Sequence, residues 1–216
     1  MLLTFNTQFM KRFQLLFIIS LLITINAYPQ LNKKIWLVGG NGSFEAYNYV
    51  STPSGQNTAP GWKDHIKQLD ISLKAGYFII DKLVVGIMPT CTLIKSDSTY
   101  NPIASYDFSL AVGPFVRYYL LDKNKPYNLL AEVNGQYGIQ WRHNSTDYRG
   151  SVSNLSILAG PEFFFNSVVG IEILLGYKMS KEAVSGTNYP YTDVRKGFQA
   201  VIGLQVHLKN FRYSQF

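Results

Sequence analysis

The sequence lacks the features that mark several common classes of protein. Charged residues are only 15% of the 216 residues, whereas a disordered chain has more charge and fewer apolar side chains. No apolar run reaches the roughly 20 residues of a membrane-spanning helix. Cys91 is the only cysteine, which excludes an intramolecular disulfide and a cysteine metal cluster. A phosphate-binding glycine loop and metal-ligand spacing are also absent, so we expect neither metal nor cofactor.

The N-terminus has the pattern of a secretory signal peptide. Lys11 and Arg12 precede an apolar segment, 13–25, that is too short to cross a membrane as a helix. Ala27 supplies the small residue at which we expect cleavage. The predicted division of the chain is a removed leader, 1–27, and a single mature domain, 28–216.

Alternation of apolar and polar residues predicts eight β-strands after the leader. The clearest is Phe108 to Leu120, where even-numbered residues form a continuous apolar face and the other face carries small residues and Arg117. A membrane barrel has this arrangement, with an apolar exterior and a narrow polar interior. The predicted strands are 34–47, 68–80, 83–94, 108–120, 127–141, 154–165, 169–179 and 197–208.

The connections between these strands alternate between long polar loops and short turns. Outer-membrane barrels have short periplasmic turns and longer external loops, and an even strand count brings both ends to the periplasmic side. The predicted fold is therefore an all-β, eight-stranded, antiparallel, up-and-down transmembrane β-barrel in a bacterial outer membrane.

Two local features bear on the geometry of the strands. Because proline removes a ladder hydrogen bond and a closed barrel has no edge strand, we expect bulges at Gly113-Pro114 and Gly160-Pro161. Aromatic residues also cluster near both strand ends, as in interfacial girdles. The aromatic residues near the short turns are Trp36, Tyr77, Phe78, Tyr118, Tyr119, Tyr127, Phe163 and Phe165.

Charged residues at inward positions predict a network of ion pairs inside the barrel. An eight-stranded barrel is filled by its own side chains, and an unpaired buried charge is costly, so opposite charges must pair. We place Arg117 at the centre, with Lys74 above it and Glu132 as a diagonal neighbour across the hairpin. The alternative is that the carboxylates line a proton or cation path. The predicted network comprises Arg117, Glu132, Glu162, Glu172, Lys74, Lys178, Glu45 and Asp70.

Three segments carry a resemblance to a known family. They are Trp36–Phe44 (WLVGGNGSF), Gly76–Gly86 (GYFIIDKLVVG) and Gly113–Tyr119 (GPFVRYY). The chain resembles the porin-family outer-membrane β-barrel proteins of Gram-negative bacteria, in their eight-stranded, OmpA/OmpX-like form. The resemblance implies a fold and contains no catalytic motif. Members usually end in an aromatic residue that the barrel-assembly machinery recognises, so Phe216 implies that machinery as a partner during biogenesis.

Three classes of function are open. The first is a non-enzymatic barrel with a structural, adhesive or minor-pore role. We expect such a barrel to be a monomer. The second is a lipid-modifying barrel enzyme with a Ser–His pair on its lipid-facing wall. His65 and His143 lie in or beside loops and His207 points inward, so this class is disfavoured. The third is a soluble lipocalin-like carrier, which needs an apolar interior. We expect the first class and no enzymatic activity.

Basic residues in or beside the long loops predict contact with lipopolysaccharide. Its phosphate groups lie at that level of the membrane, and arginine and lysine bind phosphate well. The alternative is that these charges are simply solvated. The net charge is +7, but an exported protein rarely meets nucleic acid, so we expect membrane lipids rather than nucleic acid as partners. The candidate lipopolysaccharide contacts are Arg142, Arg149, Arg195 and Lys196.

Overall fold

The protein is a closed, all-β barrel. In a computed structural model, the described residues are 31–51, 62–98, 105–122, 125–143, 148–184 and 191–209. Each strand pairs antiparallel with its neighbour in sequence, and β8 pairs with β1, which confirms the predicted eight-stranded up-and-down barrel. The strands are β1 (Ile35–Ser51), β2 (Trp62–Ile80), β3 (Leu83–Ser98), β4 (Ser105–Tyr119), β5 (Tyr127–His143), β6 (Tyr148–Phe164), β7 (Val169–Val184) and β8 (Tyr191–Lys209). Within these ranges, no helix is long and apolar enough to cross a membrane.

The strands are longer than predicted at the ends that face the long loops, here called the loop end of the barrel. β2 begins at Trp62 rather than Gln68, and β8 begins at Tyr191 rather than Gly197. Paired strands satisfy their backbone hydrogen bonds through the ladder whatever their side chains are. The strands therefore continue after the apolar alternation stops. At the opposite end, here called the turn end, the predicted bounds agree to within one residue.

Side chains alternate between the wall and the lumen as predicted. In β4 the even-numbered residues are exposed except Phe108, which is half-buried, whereas Arg117 and Tyr119 are fully buried. Trp36 and Tyr77 lie on the outer wall at the turn end with their ring centroids 5.0 Å apart. The assignment of Phe78 and Tyr119 to the outer girdle is wrong, because both occupy inward positions and stack in the lumen.

The prolines inside strands interrupt the ladder without changing its register. Around Gly113-Pro114 the β4–β5 pairs are missing, and around Gly160-Pro161 the β6–β7 pairs are missing, yet the register is the same on both sides of each gap. The predicted bulges are therefore wrong. Each gap spans two pairs, and the ladder on both sides of it holds the strand in place. A register shift does occur in β2, between Phe78 and Ile80.

Apolar side chains seal the turn end of the barrel. Leu31, just before β1, is fully buried in an apolar cluster that includes Leu37 and Phe78. Backbone hydrogen bonds hold this segment against the β2–β3 turn, from Lys82 N to Leu31 O and from Lys34 N to Phe78 O, both 2.9 Å. Lys34 and Lys82 adopt positive φ angles of 71° and 68°, as such tight turns require.

The seam between β1 and β8 is incomplete at the loop end. Its pairing runs from Ile35↔Lys209 to Gly42↔Ile202, although β1 continues to Ser51. Beyond Gly42, the described pairs of β1 are with β2, and those of β8 beyond Ile202 are with β7. The wall is thus continuous around the turn end and split on one side of the loop end.

Candidate functional site

Five strands contribute charged side chains to a cluster in the lumen, here called the lumen cluster. Its members are Lys74, Arg117, Glu132, Glu162 and Glu172, whose side chains are all 0% exposed. Arg117 lies at its centre: Nη2 is 2.6 Å from Glu132 Oε2, and Nη1 is 2.8 Å from Glu172 Oε2 and 3.8 Å from Glu162 Oε2. One guanidinium therefore contacts three carboxylates on three neighbouring strands.

Lys74 supplies the second cation of the lumen cluster. Its Nζ donates to Glu132 Oε2 at 2.7 Å and to Glu172 Oε1 at 3.4 Å. Amides add hydrogen bonds to the same carboxylates. Asn134 Nδ2 donates to the second oxygen of Glu132, Oε1, at 3.3 Å, and Gln205 Nε2 donates to Glu172 Oε1 at 3.0 Å. The carboxylates are thus hydrogen-bonded as well as ion-paired, as buried charges require.

Tyr119 and His207 extend the lumen cluster toward the turn end. Tyr119 OH donates to Glu162 Oε2 at 2.8 Å, and His207 Nε2 lies 3.3 Å from that hydroxyl. Both side chains are fully buried, and their rings pack around Phe78. Sequence reasoning left both residues out of the network, although each occupies an inward position.

The register of the β4–β5 hairpin sets the strongest pair of the lumen cluster. Arg117 lies directly opposite Glu132, so the prediction of a diagonal neighbour is wrong. The turn is wider than assumed: Leu120 N donates to Leu129 O at 2.8 Å. The side-chain amide of Asn128 also bonds both the N–H and the C=O of Leu121, at 2.9 and 3.1 Å. These two bonds tie Asn128 to the other side of the turn.

Glycines provide the room that the long side chains need. A Cβ added at Gly203 would lie 2.7 Å from Glu172 Oε1. A Cβ at Gly170 would overlap the carboxylate of Glu162. The ordinary closest approach of a Cβ is longer than these distances, so the cluster and its glycines are mutually dependent.

The lumen cluster has more carboxylates than cations. Glu162 and Glu172 face each other directly across the β6–β7 pair, where two like charges repel. Arg117 Nη1 contacts both of them and so offsets this repulsion. Among the described residues, no group of His, Cys, Asp or Glu has the arrangement of a metal site.

The predicted eight-residue network is divided in the structure. Asp70 and Lys178 form a separate pair nearer the loop end, 2.7 Å apart, and Thr92 Oγ1 donates to Asp70 Oδ1 at 2.6 Å. A layer of neutral groups, including Ser72 and Thr90 at 2.7 Å, lies between this pair and Lys74. The remaining predicted member, Glu45, lines a cavity at the loop end.

Sequence reasoning missed an ion pair at the loop end. Arg195 contacts the buried carboxylate of Glu182 inside the mouth of the barrel, and its Nε lies 3.5 Å from Asp193 Oδ2. The seventh predicted strand ends at Met179 and the eighth begins at Gly197. Glu182 and Arg195 therefore lie outside the predicted strands, and their inward orientation was not predicted. Extending the parity of β7 and β8 would have found it.

The four candidate lipopolysaccharide contacts differ in their placement. Arg149 and Lys196 are exposed at the loop end. The side chain of Arg195 is 28% exposed and ion-paired inside the mouth. Arg142 is a strand residue of β5, but its side chain lies outside the described part of the structure.

Comparison with known proteins gives similarity in fold alone. No family model matches the chain, and no curated protein matches it. Among solved structures it is similar to the outer membrane protein OprG from Pseudomonas aeruginosa, with 12% identity, a TM-score of 0.49, and coverage of 85% of this chain and 99% of that chain. It is also similar to Neisserial surface protein A, with 15% identity, a TM-score of 0.43, and coverage of 80% and 96%. A third is the N-terminal β-barrel domain of Pseudomonas aeruginosa OprF, with 11% identity, a TM-score of 0.37, and coverage of 82% and 98%. The closed eight-stranded barrel is established by the strand pairing of this chain itself.

Proposed function

We propose that this protein is an integral β-barrel of a bacterial outer membrane with a structural, non-enzymatic role and a closed lumen. The observation that carries this proposal is the inverted distribution of polarity. Leu73 and Leu175 on the wall are 63% and 64% exposed, whereas Lys74 and Arg117 inside are fully buried. Lipid around the wall makes that distribution favourable, and a closed barrel leaves no strand edge in the hydrocarbon layer.

The same distribution argues against a soluble carrier. A lipocalin-like protein has a polar outer surface and an apolar cavity for its ligand. Here aliphatic side chains such as Ile157, Ile202 and Ile87 are exposed in a belt around the wall, at 59%, 64% and 59%. Monomeric soluble proteins rarely expose apolar patches of that extent.

The closed lumen supports a structural role over a pore. Charged side chains from five strands meet at one level, and Leu31, Leu37 and Phe78 seal the turn end below them. An eight-stranded barrel has an interior that side chains fill. We therefore expect the lumen to conduct little, with interaction functions confined to the outer wall and the loop end.

The positions of the histidines support the absence of enzymatic chemistry. His207 is buried in the lumen beside Tyr119 and Glu162 and so does not face the lipid. His65 is exposed on β2, and the side chain of His143 lies outside the described residues. The lumen cluster pairs its carboxylates with cations, which suits stabilisation rather than acid–base catalysis.

The exposed basic residues at the loop end support contact with lipopolysaccharide. Arg149 and Lys196 are the stronger candidates, because Arg195 is already ion-paired with Glu182. Charge contacts to phosphate at a wet surface weaken as salt rises. Neutralising Arg149 and Lys196 should reduce lipopolysaccharide binding at low salt, whereas unchanged binding would exclude the contact.

Membrane insertion is tested by fractionation and by electrophoresis. The protein should be recovered with the outer membrane and require detergent for extraction. A folded barrel should also migrate differently on a denaturing gel before and after boiling. Recovery in the soluble periplasmic fraction without detergent would overturn the proposal.

A further inference from the structure

The outward face of β6, β7 and β8 carries cations at the loop end but no carboxylate at its described positions. The acidic residues of these strands all occupy inward positions, namely Glu162, Glu172, Glu182 and Asp193. The outward cations have exposed side chains, and they are Arg149, Lys181 and Lys196. This part of the wall therefore presents positive charge to the membrane surface without acidic residues beside it.

Lys181 and Lys196 are close enough to bind one anion together. In the β7–β8 ladder Lys181 lies opposite Val194, and Lys196 is two residues further along β8 on the same face. Such diagonal neighbours are about 7–8 Å apart, within reach of long side chains. Within the described ranges neither lysine is ion-paired, in contrast to the paired cations inside the mouth. Both ammonium groups are therefore available to the same ligand.

The two lysines lie at the level that lipid phosphates occupy. Leu208 belongs to the turn-end girdle, opposite Trp36, and Phe198 comes ten residues before it in β8. At about 3.3 Å per residue and a tilt of about 40°, this stretch rises about 25 Å, which is the height of the apolar band of such barrels. Lys196 is two residues beyond Phe198 on the same face. It therefore lies directly above the hydrocarbon layer.

Directly below the lysines, an aromatic pair offers a surface for an acyl chain. Tyr177 and Phe198 face each other across the β7–β8 ladder, with their ring centroids 5.6 Å apart. Phe198 is 89% exposed, and the split seam leaves it without a described β1 partner. Free cations above exposed rings match a lipid with an anionic head group.

The loop end of the β2–β3 wall also carries two outward lysines but differs in charge. Lys67 and Lys95 lie directly opposite each other, but Lys95 Nζ is 3.2 Å from Asp97 Oδ2. This carboxylate neutralises one of the two cations and repels an anion. Lys67 and Lys95 therefore serve as a matched control for Lys181 and Lys196.

We infer that the outward face of β7 and β8 binds the phosphorylated lipid part of lipopolysaccharide, with one phosphate held between Lys181 and Lys196. The phosphate oxygens accept charge-assisted hydrogen bonds from both ammonium groups. An acyl chain of the same molecule packs against Phe198 and Tyr177. This inference rests on the proposed function, because it assigns a defined site to the proposed lipopolysaccharide contact.

Lys181, rather than Arg149, is the partner of Lys196 in this site. Ser153 lies opposite Lys181, and Arg149 is four residues away from Ser153 along β6. Four residues of a strand span about 13 Å, which exceeds the diagonal spacing at which side chains meet. Lys181→Gln should therefore weaken lipid binding more than Arg149→Gln does. The opposite order would contradict the site.

The test uses the full-length mature barrel in uncharged maltoside micelles at low salt, with bisphosphorylated lipid A as the probe. Native mass spectrometry gives the ratio of lipid-bound to free barrel. Lys181→Gln with Lys196→Gln should weaken binding by about thirtyfold, about fivefold for each lysine at a membrane surface. The control, Lys67→Gln with Lys95→Gln, removes the same charge from the other wall and should bind like wild type. A loss no larger than that of the control would overturn the inference.

Two further ligands separate the role of the phosphate from that of the acyl chains. Dephosphorylated lipid A should bind equally to wild type and to the Lys181→Gln, Lys196→Gln variant, because it offers no anion to the lysines. Inorganic phosphate at the concentration of lipid A should not displace it, because free phosphate makes no contact with Phe198. A difference between the two barrels with the dephosphorylated lipid, or displacement by inorganic phosphate, would overturn the inference.

Phe198→Ala tests the apolar part of the site. Lipid A binding should fall by about fivefold, the effect of losing part of an aromatic contact. The control is Phe163→Ala, an outward aromatic residue at the turn end that is 47% exposed, and it should bind like wild type. Equal binding by the two variants would contradict the acyl contact. A wild-type barrel with heat-dependent gel migration but no lipid A binding would overturn this inference and leave the membrane placement standing.

Discussion

The turn half and the loop half of this barrel use the same strands in opposite ways. In the turn half, β1 and β8 are paired from Ile35↔Lys209 to Gly42↔Ile202, and the lumen contains fully buried ion pairs. In the loop half that seam is split, and the Asp70–Lys178 pair retains some exposure, 9% and 16%. Closure of the seam therefore coincides with complete burial of charge.

The difference shows what sustains buried charge in a barrel of this size. A buried charge without partners is strongly destabilising, so it persists only where neighbours on all sides supply contacts. The turn half provides them through five strands and through glycines that leave space. In the loop half the seam is open and the Asp70–Lys178 pair is partly exposed, so water supplies some of the contacts that the turn half takes from its neighbouring strands.

The largest effect should come from removing the centre of the lumen cluster. Arg117→Met leaves Glu132, Glu162 and Glu172 without their shared partner, and breaking a buried pair costs about 3–5 kcal/mol. Urea-dependent unfolding in lipid vesicles measures the free energy. Adding Glu132→Gln should cause little further loss, because coupled residues are not additive. An Arg117→Met barrel of unchanged stability would contradict the structural role of the cluster.

Two glycines on the inward face of β8 provide the next comparison. Gly203→Ala places a Cβ 2.7 Å from Glu172 Oε1 and 2.9 Å from Asn41 Cβ, whereas Gly197→Ala meets no atom within 4 Å. Overpacking should destabilise the first variant by about 1–3 kcal/mol. The second should be neutral or slightly stabilised, because alanine restricts the unfolded chain. Equal unfolding free energies for the two variants would show that the lumen is not packed more tightly around Gly203 than around Gly197.

A smaller effect should follow from the charge pair of the loop half. Lys178→Met removes the cation beside Asp70, but Thr92 and Gln68 still donate to that carboxylate. We expect a loss of about 1–2 kcal/mol in unfolding free energy, less than for Arg117→Met. A loss as large as that of Arg117→Met would show that both halves depend equally on ion pairs.

Much of the fold could be predicted because alternation repeats in every strand. The outward faces of β1, β2, β4, β5, β7 and β8 and the strand ends at the short turns follow directly from that periodicity. The loop-end bounds could not be predicted in this way. Polar residues on both faces carry no periodic signal, and backbone pairing alone extends those strands.

The lumen cluster shows a similar division. The alternation of inward and outward residues placed Arg117 and the three glutamates on the inner face of the sheet. It does not fix their positions along the barrel axis. This position depends on the β4–β5 register and hence on the width of the turn, across which Asn128 bonds Leu121. The split between β1 and β8 depends on strands far apart in the sequence, and no local pattern indicates it.

Single-channel recording in planar lipid bilayers tests the closed lumen most directly. The mouth at Glu45 and Lys178 is open, but the lumen cluster and the seal at Leu31 lie below it. Wild-type protein, with insertion verified by heat-dependent gel migration, should show no stable openings above the bare membrane. Large, stable openings from the wild-type barrel would contradict the closed lumen and the structural role assigned to the ion pairs that fill it.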